Sequence, residues 1–208
     1  MIFKKLITKT VLLYLLTDAH TGLTHVQITR QALSSGIRII QLREKCVPKK
    51  DIYKEALAMR ALTAKQRAAL IINDHIDIAL AVDADGVHLG QEDMPLIEAR
   101  RIMGRKKIIG ISTHTLGQAQ KAEAEGADYI GFGPVFHTNT KDAGKPKGLK
   151  ALQKVRAHIK IPIVAIGGIT SSNIREVLMS GADAAAIASG ILSGSIKANT
   201  KEYLASLE

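Results

Sequence analysis

Aromatic side chains are scarce in this chain. Of 208 residues only three per cent are Phe, Trp or Tyr, and tryptophan is absent. A core without large rings must be built from Val, Ile, Leu and Ala, which suits parallel strands buried on both faces under helices. Cysteine is rarer still. Cys46 stands alone, so no internal disulfide can form, as suits a reducing compartment. No apolar run approaches the roughly 20 residues that span a bilayer, and the run at 11–16 falls far short. The N-terminus also lacks a hydrophobic stretch followed by small residues, so no secretory signal is expected. The expected location is cytoplasmic, with no membrane partner. Acidic residues are few, 19 against 29 Lys and Arg, for a net charge of +10. That excess favours anionic partners. The basic residues are nonetheless spread through the chain (Lys49-Lys50, Arg100-Arg101, Lys106-Lys107). Interleaved aromatics, zinc spacing and a concentrated basic arm are all missing, so nucleic acid is not the expected partner. Phosphorylated small molecules are.

What the chain does have is an alternation. Short apolar runs recur at 11–16, 37–42, 69–72, 86–89, 107–111, 128–132, 161–166 and 183–188. Segments of helical spacing lie between them, at 52–64, 76–82, 95–103, 116–124 and 173–179. Glycine marks the returns from helix to strand at Gly36, Gly86, Gly126 and Gly181, where a residue just past a helix takes the left-handed conformation. Eight strands alternating with helices, with no linker or low-complexity tract, predict a single (β/α)8 barrel domain over 1–208. The rival, a doubly wound open sheet, seldom needs eight units, and no GxGxxG follows the first strand.

In such a barrel the site lies just beyond the carboxyl ends of the strands. The central stretch 70–93, LIINDHIDIALAVDADGVHLGQED, is one βαβ unit whose strands both run out into acids, Asp74 and Asp93. Each could cap the next helix, Asp74 before His75 and Asp93 before Pro95. As a pair at equivalent ends of neighbouring strands they are expected to hold a hard cation such as Mg2+. After the second strand, Gln41, Arg43 and Lys45 alternate onto one face, where a guanidinium fork and an ammonium suit a diphosphate. Asn73 and Ser112 stand at corresponding strand ends. Gly167-Gly168 and Ala188-Ser189-Gly190 follow strands seven and eight, where barrels commonly hold a phosphate on backbone amides. The connection 136–148 is long for a loop after a strand and adds Thr138, Thr140 and Lys141. His114, next to a strand end, is the histidine placed for acid–base work or for a single hydrogen bond. His75, His88 and His137 lie near the mouth without metal-ligand spacing, so zinc is not expected. Together these residues describe a Mg2+–diphosphate site formed by Arg43, Lys45, Asp74, Asp93 and Lys141, beside a monophosphate site. The reaction they suit is departure of diphosphate, with a second phosphorylated molecule as acceptor.

The sequence resembles the thiamine-phosphate synthase (thiamine-phosphate pyrophosphorylase) family. The resemblance covers nearly the whole chain and rests on several motifs in order: QLREK (41–45), 70–93, GISTHT (110–115), GADYIGFGPVFHTNTKDAG (126–144), IPIVAIGGI (161–169) and GADAAAIASG (181–190). It implies a transferase that joins 4-amino-5-hydroxymethyl-2-methylpyrimidine diphosphate to a thiazole phosphate, giving thiamine phosphate and diphosphate. It further implies that Gln41, Arg43, Lys45, Asn73, Ser112 and Lys141 bind the pyrimidine diphosphate. Arg43, Lys45, Ser112 and Lys141 would serve the chemistry and Asp74 and Asp93 would hold Mg2+. Thr138, Thr140, Gly168, Ala188 and Ser189 would bind the thiazole phosphate. Two positions depart from the family pattern. Ala188 stands where a larger aliphatic residue is common, and a single Lys141 precedes Asp142 where two lysines are frequent. The rival enzyme is a related thiazole tautomerase using His114 as acid and base. A phosphate-ligand sensor on the same scaffold would bind without turnover. The sequence leaves a homo-oligomer open.

Overall fold

The structure, a computed structural model, describes residues 13–18, 21–138 and 144–207. Its strands are β1 (Leu13–Leu16), β2 (Ile39–Leu42), β3 (Ala69–Asn73), β4 (Gly86–Leu89), β5 (Ile108–Thr113), β6 (Tyr129–Phe132), β7 (Ile163–Ile166) and β8 (Ala184–Ile187). Each pairs in parallel with its neighbours in sequence, and β8 returns to β1, so the sheet closes into the expected (β/α)8 barrel. The helices are α1 (His25–Ser34), α2 (Lys49–Lys65), α3 (Ile76–Ala81), α4 (Leu96–Met103), α5 (Leu116–Ala124), α6 (Gly148–His158), α7 (Ile174–Met179), α8 (Ser189–Leu192) and α9 (Ile196–Ala205). Positions 11 and 12 of the first expected strand lie outside the described residues.

Alternation along each strand divides the apolar residues between two cores. Leu15, Ile40, Leu70, Val87, Ile109 and Ile130 face outward and pack under the helices. Tyr14, Ile39, Ile71, Ile108, Tyr129 and Val164 turn inward and fill the barrel. The inner core is tight at β5. A Cβ on Gly110 would meet the Tyr129 ring at 2.0 Å, so a glycine, normally a weak strand former, here leaves room for an aromatic ring on the neighbouring strand.

The helix-to-strand returns hold one surprise. Gly36, Gly126 and Gly181 have φ of 97°, 91° and 105°, the left-handed stop expected of them. Gly86 does not. The left-handed residue after α3 is Asp83, at φ 52°. Gly86 lies inside β4, where a Cβ would meet the Ile108 carbonyl oxygen at 2.2 Å. Its role is the close approach of two strands.

Three arginine–aspartate clamps fasten the end of the barrel opposite the expected site. Arg60 of α2, Arg100 of α4 and Arg156 of α6 pair with Asp85, Asp128 and Asp183, each standing directly before an even strand. In every case the same Oδ2 also accepts a backbone N–H at the start of the preceding odd strand: Leu70 at 2.8 Å, Ile109 at 2.9 Å and Ile163 at 2.8 Å. Before β2 the equivalent position is Arg38, which donates to the Leu33 and Ile37 carbonyls instead. A clamp is worth more than a surface pair because its loss strands a partly buried guanidinium and an amide together. Asp128→Ala is expected to lower unfolding free energy by about 2 kcal/mol. Lys49→Ala, which breaks a pair with side chains 64% and 60% exposed, is expected to shift it by less than about 0.5 kcal/mol. Urea unfolding of both variants checks the contrast.

Candidate active site

The carboxyl ends of the strands surround a cavity of about 120 Å3. Gln41 and Arg43 reach it from β2 and the residues just after, Asn73 from β3, His88 from β4 and Ser112 from β5, above Tyr14 and Tyr129. Strand register sets these side chains level, with Asn73 opposite His88 and Ser112 opposite Gly131. Four of the sequence-predicted site residues (Gln41, Arg43, Asn73 and Ser112) therefore line one cavity.

The floor is a continuous polar chain. Gln41 Nε2 donates to the Tyr14 hydroxyl at 2.8 Å, and the Tyr14 and Tyr129 hydroxyls lie 2.9 Å apart. Tyr129 is 2.8 Å from His88 Nδ1, and His88 Nε2 is 2.9 Å from Ser112 Oγ. An amide N–H enters at Gln41, and one ordering passes the protons on in the same direction. Tyr14 donates to Tyr129, Tyr129 to Nδ1, and Nε2–H to Ser112, whose own hydroxyl proton then points at the cavity. Burial is the main influence on the acids and bases involved. It pushes the Tyr14 and Tyr129 hydroxyls up, and it lowers His88 to about 4 against a small opposing pull from Asp93. His88 is thus a neutral imidazole. The sequence reading gave no role to Tyr14, Tyr129 or His88.

Donors without acceptors among the described residues stand above this floor. Asn73 Nδ2 is buried and has no hydrogen-bond partner among them. The Arg43 guanidinium has no ion pair among the described residues. Just beyond the strand ends, Lys45 Nζ lies 3.2 Å from Asp74 Oδ2. Asp74 adopts φ 62°, a conformation few non-glycine residues take. Its carboxyl is raised above the usual range by burial first and then by a hydrogen-bonding contact with Asp93, while Lys45 only partly offsets both. Asp93 turns its Oδ2 back onto the Gly90 N–H at 2.6 Å. Neither acid caps a helix. α3 and α4 begin after His75 and Pro95, and neither N-cap has a side-chain cap bond.

On the far side, the chain leaving β6 runs along the end of β7. Val135 N–H donates to Ile166 O and Phe136 N–H to Gly167 O. A Cβ on Gly168, at φ 64°, would meet the His137 carbonyl oxygen at 2.3 Å, so glycine lets the two turns touch. Half-buried Thr138 follows directly. Ala188 precedes α8, and Ser189 begins it. Thr140 and Lys141 lie outside the described residues. His114 Nδ1 meets the Gly133 carbonyl oxygen at 2.7 Å, and the residue does not line the cavity.

The neutral His88, half-buried at the cavity, makes acid stability testable. The unfolded chain protonates this histidine near pH 6.5, whereas the native state does so near 4. Between those values the unfolded state binds more protons, so native stability falls as pH drops, by up to roughly 3 kcal/mol. Ring 15N spectra across pH 3.5–7.5 are expected to show an Nε2-protonated neutral tautomer down to about pH 4. A titration near 6.5 or an Nδ1-protonated ring would contradict the polarity of the chain.

Comparison with known proteins bears on the fold and the family. The family model described as thiamine monophosphate synthase matches residues 13–191. A thiamine-phosphate synthase of Shouchella clausii is 45% identical over 200 residues, covering 94% of this chain and 96% of that one. The thiamine-phosphate synthase of Halalkalibacterium halodurans is 50% identical over 173 residues, covering 82% of each. The solved thiamine phosphate pyrophosphorylase from Pyrococcus furiosus superposes with a TM-score of 0.89 at 41% identity, covering 97% of both chains.

Proposed function

The chain belongs to the thiamine monophosphate synthase family, and from that membership we propose how its site works. The protein is a transferase of thiamine biosynthesis. It joins 4-amino-5-hydroxymethyl-2-methylpyrimidine diphosphate to a thiazole phosphate and releases diphosphate. One observation carries the assignment of the site: Asn73 Nδ2 and Arg43, donors unmatched among the described residues, stand beside two carboxylates drawn against each other. A heterocycle bearing an anionic tail answers the donors, and a cation answers the acids.

The bond between the pyrimidine methylene carbon and the diphosphate oxygen breaks, and the thiazole nitrogen forms the new bond to that carbon. Arg43 grips the departing diphosphate with a planar fork, and Lys45 adds a point charge. Gln41, Asn73 and Ser112 hold the pyrimidine over the tyrosine floor, and the Ser112 hydroxyl points at it by virtue of its bond to His88. Asp74 and Asp93 fit Mg2+. Among the described residues no third His, Cys, Asp or Glu joins them, and Mg2+ usually takes one or two carboxylates and completes its shell with water and phosphate oxygens. When bound, Mg2+ supplies neutralisation of charge on the leaving diphosphate. Thr138, Gly168, Ala188 and Ser189 take the thiazole phosphate, supported by the contact between the β6 and β7 turns. Lys141 and Thr140 complete the diphosphate and thiazole sides respectively. A cytoplasmic location goes with this reading, since Cys46 is exposed and unpaired.

Purified protein with both substrates and Mg2+ is expected to yield thiamine phosphate and diphosphate in equal amounts, abolished by EDTA. Asp93→Asn is expected to cut the rate at limiting Mg2+ at least about tenfold, the scale for losing even an outer partner of a metal site. Excess Mg2+ should restore part of it. The same Mg2+ dependence in variant and wild type would remove Asp93 from the metal site.

A further inference from the structure

The segment that presents Arg43 and Lys45 is neither helix nor strand, yet those two cations must meet one diphosphate together. What holds the segment is a buried histidine on another element. His25, the first residue of α1, is 4% exposed. Its Nδ1 lies 2.7 Å from Thr17 Oγ1 and its Nε2 lies 3.2 Å from Glu44 Oε2. Thr17 follows β1. Its N–H donates to the Gln41 carbonyl at 2.9 Å, and its hydroxyl oxygen accepts the Arg43 N–H at 3.4 Å. Glu44 turns its other oxygen onto the N–H groups of Lys45 and Cys46, 2.7 Å each. Thr17 and Glu44, linked through one imidazole, thus hold the backbone at 41, 43, 45 and 46.

The chemistry of this link is directional. A carboxylate only accepts, so Nε2 carries the hydrogen that reaches Glu44, whichever way the Thr17 hydroxyl turns. Burial by itself would raise the Glu44 carboxyl, but the Cys46 amide, His25 and the Lys45 amide outweigh it and hold it below its usual range. An apolar residue at position 25 would fill the same space at a smaller desolvation cost. The imidazole is therefore kept for what its Nε2 does.

We propose that His25 is a positioning residue for the diphosphate subsite, fixing residues 43–46 through Glu44 so that Arg43 and Lys45 converge on the leaving group. The inference rests on reading Arg43 and Lys45 as the diphosphate cations. It goes beyond that reading in making a residue on α1, outside the cavity, a determinant of diphosphate affinity alone.

The test uses two amides of different reach. His25→Gln places an N–H near the Nε2 position, while His25→Asn reaches only the Nδ1 position. Binding of inorganic pyrophosphate with Mg2+ is measured by calorimetry, alongside KM for each substrate and the melting temperature. His25→Asn is expected to weaken pyrophosphate binding and raise KM for the pyrimidine diphosphate about tenfold. KM for the thiazole phosphate should stay within about twofold of wild type, and His25→Gln should keep most of the affinity. Glu44→Ala is expected to reproduce the His25→Asn loss, and the double variant to add nothing to it, as for groups acting as one unit. Wild-type pyrophosphate affinity in His25→Asn or in Glu44→Ala would overturn the proposal. So would a fall in affinity for both substrates together, which marks general loosening. Arg43→Gln separates the two readings. If it binds pyrophosphate normally, the diphosphate reading fails and the clip with it. If it binds weakly while His25→Asn binds normally, only the clip fails.

Discussion

The interior of an eight-stranded barrel has room for a fixed volume of side chain, and this chain fills much of it with two tyrosines and a histidine. That choice constrains everything around it. Gly110 must be a glycine because the Tyr129 ring occupies the space of its Cβ. The hydroxyls and the imidazole pair with one another and with Gln41 and Ser112, because polar groups set into an aliphatic core need partners. Once joined, they run as one chain from Gln41 to Ser112. The floor of the site and the packing of the fold are thus the same atoms. Ser112 acquires its orientation from residues that also pack the inside of the barrel.

The rim obeys a different logic. There charge is left deliberately unmatched, with Arg43 lacking an ion pair among the described residues and Asp74 set against Asp93. Such an arrangement is costly by itself. It persists because the elements below are over-determined: the strand ladders, the polar floor and the three clamps at the opposite end. Stability collects at one end of the barrel and unmet electrostatic demand at the other.

How much of this the sequence disclosed follows from the range of each interaction. The strands and five of the helices were legible because apolar spacing and glycine stops are local, and each of the eight strands overlaps the run that the spacing marks. Strand-end polar residues were legible too, since the fold class dictates that Gln41, Arg43, Asn73 and Ser112 share one mouth. The floor was not. Tyr14 and Tyr129 sit 115 residues apart, inside runs that look uniformly apolar, and only barrel closure shows which positions turn inward. Gly86 was misread for a related reason, because a close approach between strands leaves the same letter as a helix stop. His114 drew attention by its neighbours in sequence, while His88, one residue inside a strand end, holds the central place. The proximity of Asp74 to Asp93 was inferred from register, but the contact that raises Asp74 needed three dimensions.

The clamps carry a consequence for how such a chain can change. Each spans from a helix to the turn before an even strand, residues 60–85, 100–128 and 156–183. The long connection at 133–147, between β6 and α6, falls between the second span and the third. Its length is therefore free to drift over generations without slackening either fastening. Variation in that connection is insulated from the fastenings that keep the barrel folded, and a barrel built in this way can explore new loops at little risk to its own integrity.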